Sequence, residues 1–107
     1  MSEQKNSWYL VCAIEDIDEE DVMQFDLHDQ TYAVYHTDEG FFATDGMCTH
    51  EKQHLADGFV IDGVIECPLH QGRFDIATGK ALGAPVCIDL KTYELKLSDG
   101  NIFIRIE

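Results

Sequence analysis

Two short pairs of metal-binding residues, Cys48-Thr49-His50 and Cys67-Pro68-Leu69-His70, constrain this chain more than anything else in it. Each pair sets one thiolate beside one imidazole, and sixteen residues separate the pairs. If all four side chains serve one centre, the chain must bring two loops side by side. A zinc site more often groups cysteine with cysteine and histidine with histidine, as in C-x₂₋₄-C with H-x₃₋₅-H. A [2Fe–2S] centre with unlike ends instead takes two cysteines on one iron and two histidines on the other. A C-x-H…C-x-x-H pattern supplies one ligand of each kind from each loop, and that is the arrangement here.

The rest of the chain reads as strands. Trp8 to Ile14 is a short apolar run, and Val22 to Leu27 alternates with Met23, Phe25 and Leu27 on one face. Thr31 to Thr37 is aromatic and β-branched, and Asp38-Glu39-Gly40 turns it into Phe41-Phe42-Ala43. Phe59-Val60-Ile61 and Val64-Ile65-Glu66, joined through Asp62-Gly63, form a predicted hairpin that links the two Cys/His loops. Val86 to Leu90, Tyr93 to Leu97 and Ile102 to Ile106 are expected as a C-terminal meander, with Asp99-Gly100 as its hairpin turn. No segment carries a helical period, so the expected class is all-β. With 107 residues and no linker or repeat, a single domain spanning 1–107 is expected, large enough for a small hydrophobic core.

The residues around the ligand pairs, "CTH", "CPLHQGRFD" and the later "GAP", together resemble the Rieske family over roughly the whole chain. The resemblance implies the Rieske [2Fe–2S] fold, an antiparallel β base domain with a small inserted cluster-binding subdomain at about 45–83. It also implies one [2Fe–2S] cluster as cofactor, with Cys48, His50, Cys67 and His70 as its metal ligands. Neutral imidazoles leave the oxidised cluster two negative charges short of an all-cysteine one. Reduction is therefore easier, which places such centres at about −150 to +300 mV. High-potential respiratory members carry an extra cysteine in each loop, and these two form a disulfide. Gln53 and Leu69 occupy the matching positions here, and Gln71-Gly72-Arg73 replaces the stretch that often carries a serine hydroxyl. Together with the acidic chain, these differences point to the low end of the range and resemble the ferredoxins of bacterial ring-hydroxylating oxygenase systems. Gly46 and Gly72 are expected to let backbone amides approach the cluster sulfurs, and Pro85 resembles the family's covering proline loop.

A formal net charge of −14 argues against nucleic acid and anionic membrane as partners, because both require a basic face. Six of the seven residues from Glu15 to Asp21 are acidic, and the run reads as a solvated turn. No stretch has the eighteen apolar residues of a membrane span. The first seven residues lack an apolar signal core, so a cytoplasmic protein is expected. In a reducing compartment, Cys12 and Cys87, each set in an apolar run, read as buried small hydrophobes.

What the resemblance implies is a one-electron carrier, itself not an enzyme and with no catalytic residues. It would accept electrons from a flavin-dependent NAD(P)H reductase and pass them to a terminal oxygenase, as a monomer that docks transiently. The chain is too short to hold a second domain with the mononuclear iron site of the oxygenase itself. A small subunit of an assimilatory nitrite reductase and a structural zinc module are the alternatives. His54, four residues after His50, is expected to be a surface or hydrogen-bonding residue rather than a ligand. His28 and His36 are expected to be structural, and Arg73 to balance cluster charge, touch a partner or simply face solvent.

Overall fold

The computed structural model describes residues 7–49, 52–69, 71–83 and 88–106. The strands in chain order are β1 (Ser7–Ala13), β2 (Asp21–Leu27), β3 (Gln30–Thr37), β4 (Gly40–Asp45), β5 (Phe59–Ile61), β6 (Val64–Glu66), β7 (Arg73–Asp75), β8 (Thr92–Tyr93), β9 (Leu95–Ser98) and β10 (Asn101–Ile106). They form three sheets, ordered β1-β10-β9, β2-β3-β4-β8 and β5-β6-β7. Every pairing between them is antiparallel. Single 3₁₀ turns at Ile14–Asp16 and Leu55–Asp57 are the only helical elements among the described residues. Among those residues no helix is long and apolar enough to cross a membrane.

The central strand β3 explains how three sheets share so small a chain. Residues Tyr32 to Tyr35 are all buried. Because strand side chains alternate between faces, Tyr32 and Val34 enter one core and Ala33 and Tyr35 enter another. The first core holds Ile17, Ala43, Ile102 and Ile104, with Met23, Phe25 and Leu27 of β2 packed on it. It joins the β1-β10-β9 sheet to the central one. The second core holds Leu55, Val60, Ile65, Phe74, Ile76 and Leu90 together with Cys48 and Cys67. It joins the β5-β6-β7 sheet to the opposite face, so both cysteines of the ligand pairs lie on that side.

The β2 face, the β3–β4 hairpin and the β5–β6 hairpin match their sequence patterns. Asp62 and Gly63 both take positive φ, 51° and 77°, as the tight turn between β5 and β6 requires. The expected C-terminal meander is different. Ile88 to Leu90 is not a strand, and Val86 and Cys87 lie outside the described residues. In that stretch the backbone bonds run elsewhere: Leu90 N–H donates to the Gly79 carbonyl at 2.7 Å, and the Asp89 carboxylate accepts from Ala81 N–H at 2.8 Å. The expected strand from Tyr93 to Leu97 divides between two sheets. Tyr93 pairs with Ala43 of β4, whereas Leu95 pairs with Ile104 of β10. By switching sheets, the chain turns both Tyr93 and Leu95 onto the same core.

Cys12 is only half-buried, which corrects the sequence expectation. Its strand slips register between Leu10 and Cys12, so the side-chain alternation is broken there. Burial, and secondarily the Asp16 carboxylate, push its thiol pKa up, which keeps it protonated and unreactive at neutral pH. Cys87 lies outside the described residues. The acidic run is the expected turn, yet its one apolar residue, Ile17, is buried and anchors it.

Candidate metal centre

The two Cys/His loops close in the same way. Loop one leaves the end of β4, and Cys48 N–H donates to the Gln53 carbonyl at 2.9 Å. Loop two joins β6 to β7 beyond the Glu66–Arg73 pair, and Cys67 N–H donates to the Gly72 carbonyl at 2.6 Å. In each case a cysteine opens the loop, and a bond to the carbonyl five residues on pulls the chain back. His50 and His70 fall within these two spans in sequence but outside the described residues. Cys48 is 6% exposed and Cys67 fully buried, both against a floor of Leu55, Ile65 and Phe74.

Loop one is pinned at its root. Asp45 N–H donates to the Lys91 carbonyl at 2.9 Å, and Gly46 N–H to the Thr31 carbonyl at 2.8 Å. Leu55 N–H returns to the Gly46 carbonyl at 2.8 Å. The Gly46 amide is therefore spent on β3 rather than directed at a cluster sulfur. What glycine provides there is space, because an added Cβ would run into Thr31 Cγ2 and the Thr31–Tyr32 backbone. Beyond Cys48, the Thr49 hydroxyl donates to the Ile88 carbonyl at 2.7 Å, tying loop one to the chain that follows the "GAP" stretch. Pro85 itself lies outside the described residues.

A polar chain runs beneath this root. Thr44 Oγ1 donates to the Asp45 carbonyl at 2.7 Å, so the buried Tyr35 hydroxyl donates to Thr44 at 2.8 Å. Tyr93 O–H donates to Asp45 Oδ1 at 2.6 Å. Burial raises the pKa of both hydroxyls well above that of an ordinary tyrosine, and for Tyr93 the Asp45 carboxylate raises it further. Below about pH 10 both tyrosines are neutral in the folded and unfolded chains alike, and above it the unfolded chain loses its protons first. Stability should therefore fall as pH rises past about 10. Tyr93→Phe should lower the melting temperature at pH 8, since a hydrogen bond to a charged group contributes about 1.5–3 kcal/mol. The gap between variant and wild type should narrow at pH 11, and a gap that stays constant would mean the hydroxyl does not titrate late.

Among the described residues no three His, Cys, Asp or Glu side chains come together to hold a metal ion. His54 thus has no ligand set of its own there. It is half-buried rather than on the surface, it precedes the Leu55–Asp57 turn, and its Nδ1 is buried without a hydrogen-bond partner among the described residues. His36 is structural: Nδ1 bonds the Ile17 carbonyl at 2.9 Å, and the ring stacks on Phe41 at 4.0 Å. His28 sits edge-on to Tyr9. The Thr49–Ile88 and Asp45–Tyr93 contacts were not visible in sequence. They join residues 39 and 48 positions apart, and no local pattern marks such pairs.

Buried thiols on twin closed loops, carried by an all-β scaffold, supply the cysteine half of a metal centre. Residues 7–94 match the Rieske [2Fe-2S] domain, and the chain belongs to that family. It is 40% identical over 101 residues to the ferredoxin component of the naphthalene 1,2-dioxygenase/salicylate 5-hydroxylase systems of Ralstonia sp., covering 94% of this chain and 97% of that one. The structure is similar to the Sphingomonas yanoikuyae B1 ferredoxin, with a TM-score of 0.89, 34% identity, and coverage of 94% and 100% of the two chains. It is equally similar, with a TM-score of 0.89, 29% identity and 94% coverage of both chains, to a chain from the complex of reduced oxygenase and oxidised ferredoxin in carbazole 1,9a-dioxygenase. The fold class is therefore the all-β Rieske fold, and the cofactor is one Rieske-type [2Fe–2S] cluster. The described residues fit that group, since Cys48 and Cys67 place two soft sulfur donors in one dry core.

Proposed function

We propose that this protein is a one-electron carrier ferredoxin, passing electrons from a flavin-dependent NAD(P)H reductase to a terminal ring-hydroxylating oxygenase. The observation that carries this reading is similarity along nearly the whole chain to a ferredoxin component of such systems. In this reading Cys48 and Cys67 hold one iron, His50 and His70 hold the other, and about 45–83 forms the inserted cluster-binding unit. When bound, the cluster supplies a single reversible electron at a potential set by its imidazole ligands and surroundings.

The chain's own residues determine how that electron is presented. The buried floor of Leu55, Ile65 and Phe74 excludes water on the cysteine side. Exchange is then left to the outer side of the loops, where Leu69, next in sequence to His70, and Ile88, bonded to Thr49, are exposed. Gln53 and Leu69 cannot form the disulfide of the respiratory proteins, in keeping with a potential near the low end of the range. The protein is read as a cytoplasmic monomer that docks transiently. The alternative of a nitrite reductase small subunit has weaker support than the ferredoxin-component relatives give this reading. A colourless preparation with stoichiometric zinc would restore the structural zinc module.

The test is reconstitution. NADH-driven product formation by a purified reductase and a naphthalene-type oxygenase should require this protein. At limiting carrier the rate should fall several-fold as salt rises from about 50 to 500 mM, because the Debye length shrinks to a few ångström. Turnover that is indifferent to the protein would overturn the function, and a flat salt response would remove electrostatic docking.

A further inference from the structure

Strand β5 is three residues long, and its alternation is inverted relative to what solubility favours. Val60 points into the core, whereas Phe59 and Ile61 are 60% and 58% exposed. Their cross-strand neighbours are Glu66 and Val64. Together with Val64 and the exposed Leu82 they line an open groove of about 420 Å³ on the outer face of the β5-β6-β7 sheet. Single exposed apolar residues need no explanation, but a contiguous apolar strip with a polar rim marks a contact surface. Of the seven large hydrophobics exposed among the described residues, five (Phe59, Ile61, Leu69, Leu82 and Ile88) lie between residues 59 and 88.

The groove connects two features of opposite character. At one end its wall includes Arg73, the residue after Gly72, whose carbonyl closes loop two, and Leu82 N–H bonds the Arg73 carbonyl at 2.9 Å. The apolar strip is thereby built onto the cluster loop itself. At the other end its wall includes Asp62, whose N–H points to Glu20 Oε2 at 3.4 Å. Glu20 belongs to the acidic turn, which is fixed by buried Ile17 and by the bond from Glu20 N–H to the His36 carbonyl at 2.7 Å. The surface therefore runs from a cluster ligand loop, across apolar side chains, to a rigid set of carboxylates.

We infer that this face is the docking groove for the terminal oxygenase, so that the contact extends sideways from the cluster loops across Phe59, Ile61 and Leu82 to the acidic turn. The inference rests on the carrier reading above. A second copy of the chain is the wrong occupant, because it would bring two surfaces of a −14 protein together, acid against acid. A protein with an apolar ridge and basic flanks has the complementary chemistry. The oxygenase is the partner with which a structurally similar ferredoxin has been solved in complex. A one-sided footprint also fixes the orientation of the carrier, which a symmetrical contact at the loop tips would not.

The test uses the intact, cluster-loaded protein. In the double variant Phe59→Thr/Ile61→Thr both positions keep strand-forming residues, so iron content and the electron paramagnetic resonance signal should match wild type. Its half-saturating concentration with the oxygenase should rise about tenfold, as expected when apolar anchors at an interface are truncated. Its rate of reduction by the reductase should stay within about twofold, since that partner is not assigned to the groove. Asp62→Asn, which tolerates the same turn conformation, should weaken oxygenase affinity at low salt and flatten its salt dependence. Unchanged oxygenase affinity in both variants overturns the groove, as does an equal loss with reductase and oxygenase. Wild-type protein that supports no oxygenase turnover overturns the carrier reading itself, which separates the two failures.

Discussion

Cys48→Ser and Cys67→Ser proteins are expected to purify colourless, with iron falling from about two per chain to near zero and the Rieske absorption and paramagnetic signals lost. Each thiol lies in the buried core against Leu55, Ile65 and Phe74, so a serine hydroxyl would put a poor iron donor into an apolar setting. His50→Ala and His70→Ala should have the same effect, because in the proposed ligand set each removes one of two imidazoles from the second iron. His54→Ala should leave the spectrum largely intact, since the C-x-H…C-x-x-H pattern leaves His54 out of the ligand set. Iron analysis of the purified variants checks all five. A bleached His54→Ala protein, or a coloured Cys67→Ser protein, would show the ligand assignment to be wrong.

The second large effect is expected at Gly46. Its N–H and C=O are both committed, to Thr31 and Leu55, at 2.8 Å each. An alanine Cβ would meet Thr31 Cγ2 and lie 2.9 Å from both the Thr31 carbonyl carbon and the Tyr32 nitrogen. Tyr32 is a buried residue of the central strand, so it has nowhere to retreat. Gly46→Ala should therefore cost about 3 kcal/mol, at the upper end for overpacking. In a chain of this size that lowers the melting temperature by roughly 15 °C. It should also weaken cluster retention, because Gly46 is two residues from Cys48. Adding Thr31→Ala should restore only part of the loss, since the remaining contacts are with backbone. A melting temperature within about 2 °C of wild type would show that loop one can shift, contrary to this reading.

Much of this architecture was legible in the residues. The alternation in β2 fixed which face meets the core, and the Asp-Gly pairs marked the β5–β6 and β9–β10 turns. The spacing of Cys48 and Cys67 required two loops to approach, and the family resemblance supplied the cofactor. Other features were not legible, each for a definite reason. β7 is only three residues long, and its exposed Arg73 and half-buried Asp75 flank the single buried Phe74, too short a pattern to signal a strand. The division of 93–97 between two sheets depends on which strands lie alongside, and propensity does not carry that information. Gly46 reads in sequence as a residue that lets a backbone amide approach a cluster sulfur. Its actual constraint is the nearness of Thr31, which is local only in space.

By itself the sequence determined the class of this protein, an all-β Rieske chain with a strongly acidic composition, and named Cys48, His50, Cys67 and His70 as its candidate ligands. These follow from residue type, spacing and period, which are properties of the chain whatever its folded shape. Only the tertiary structure decided that Cys48 and Cys67 enter one dry core beneath the second face of β3. It alone also placed Phe59, Ile61 and Leu82 in one groove between loop two and the acidic turn. Both outcomes depend on which sheet packs on which. That packing is settled by the fit of side chains and backbone bonds far apart in sequence, and no local pattern encodes it.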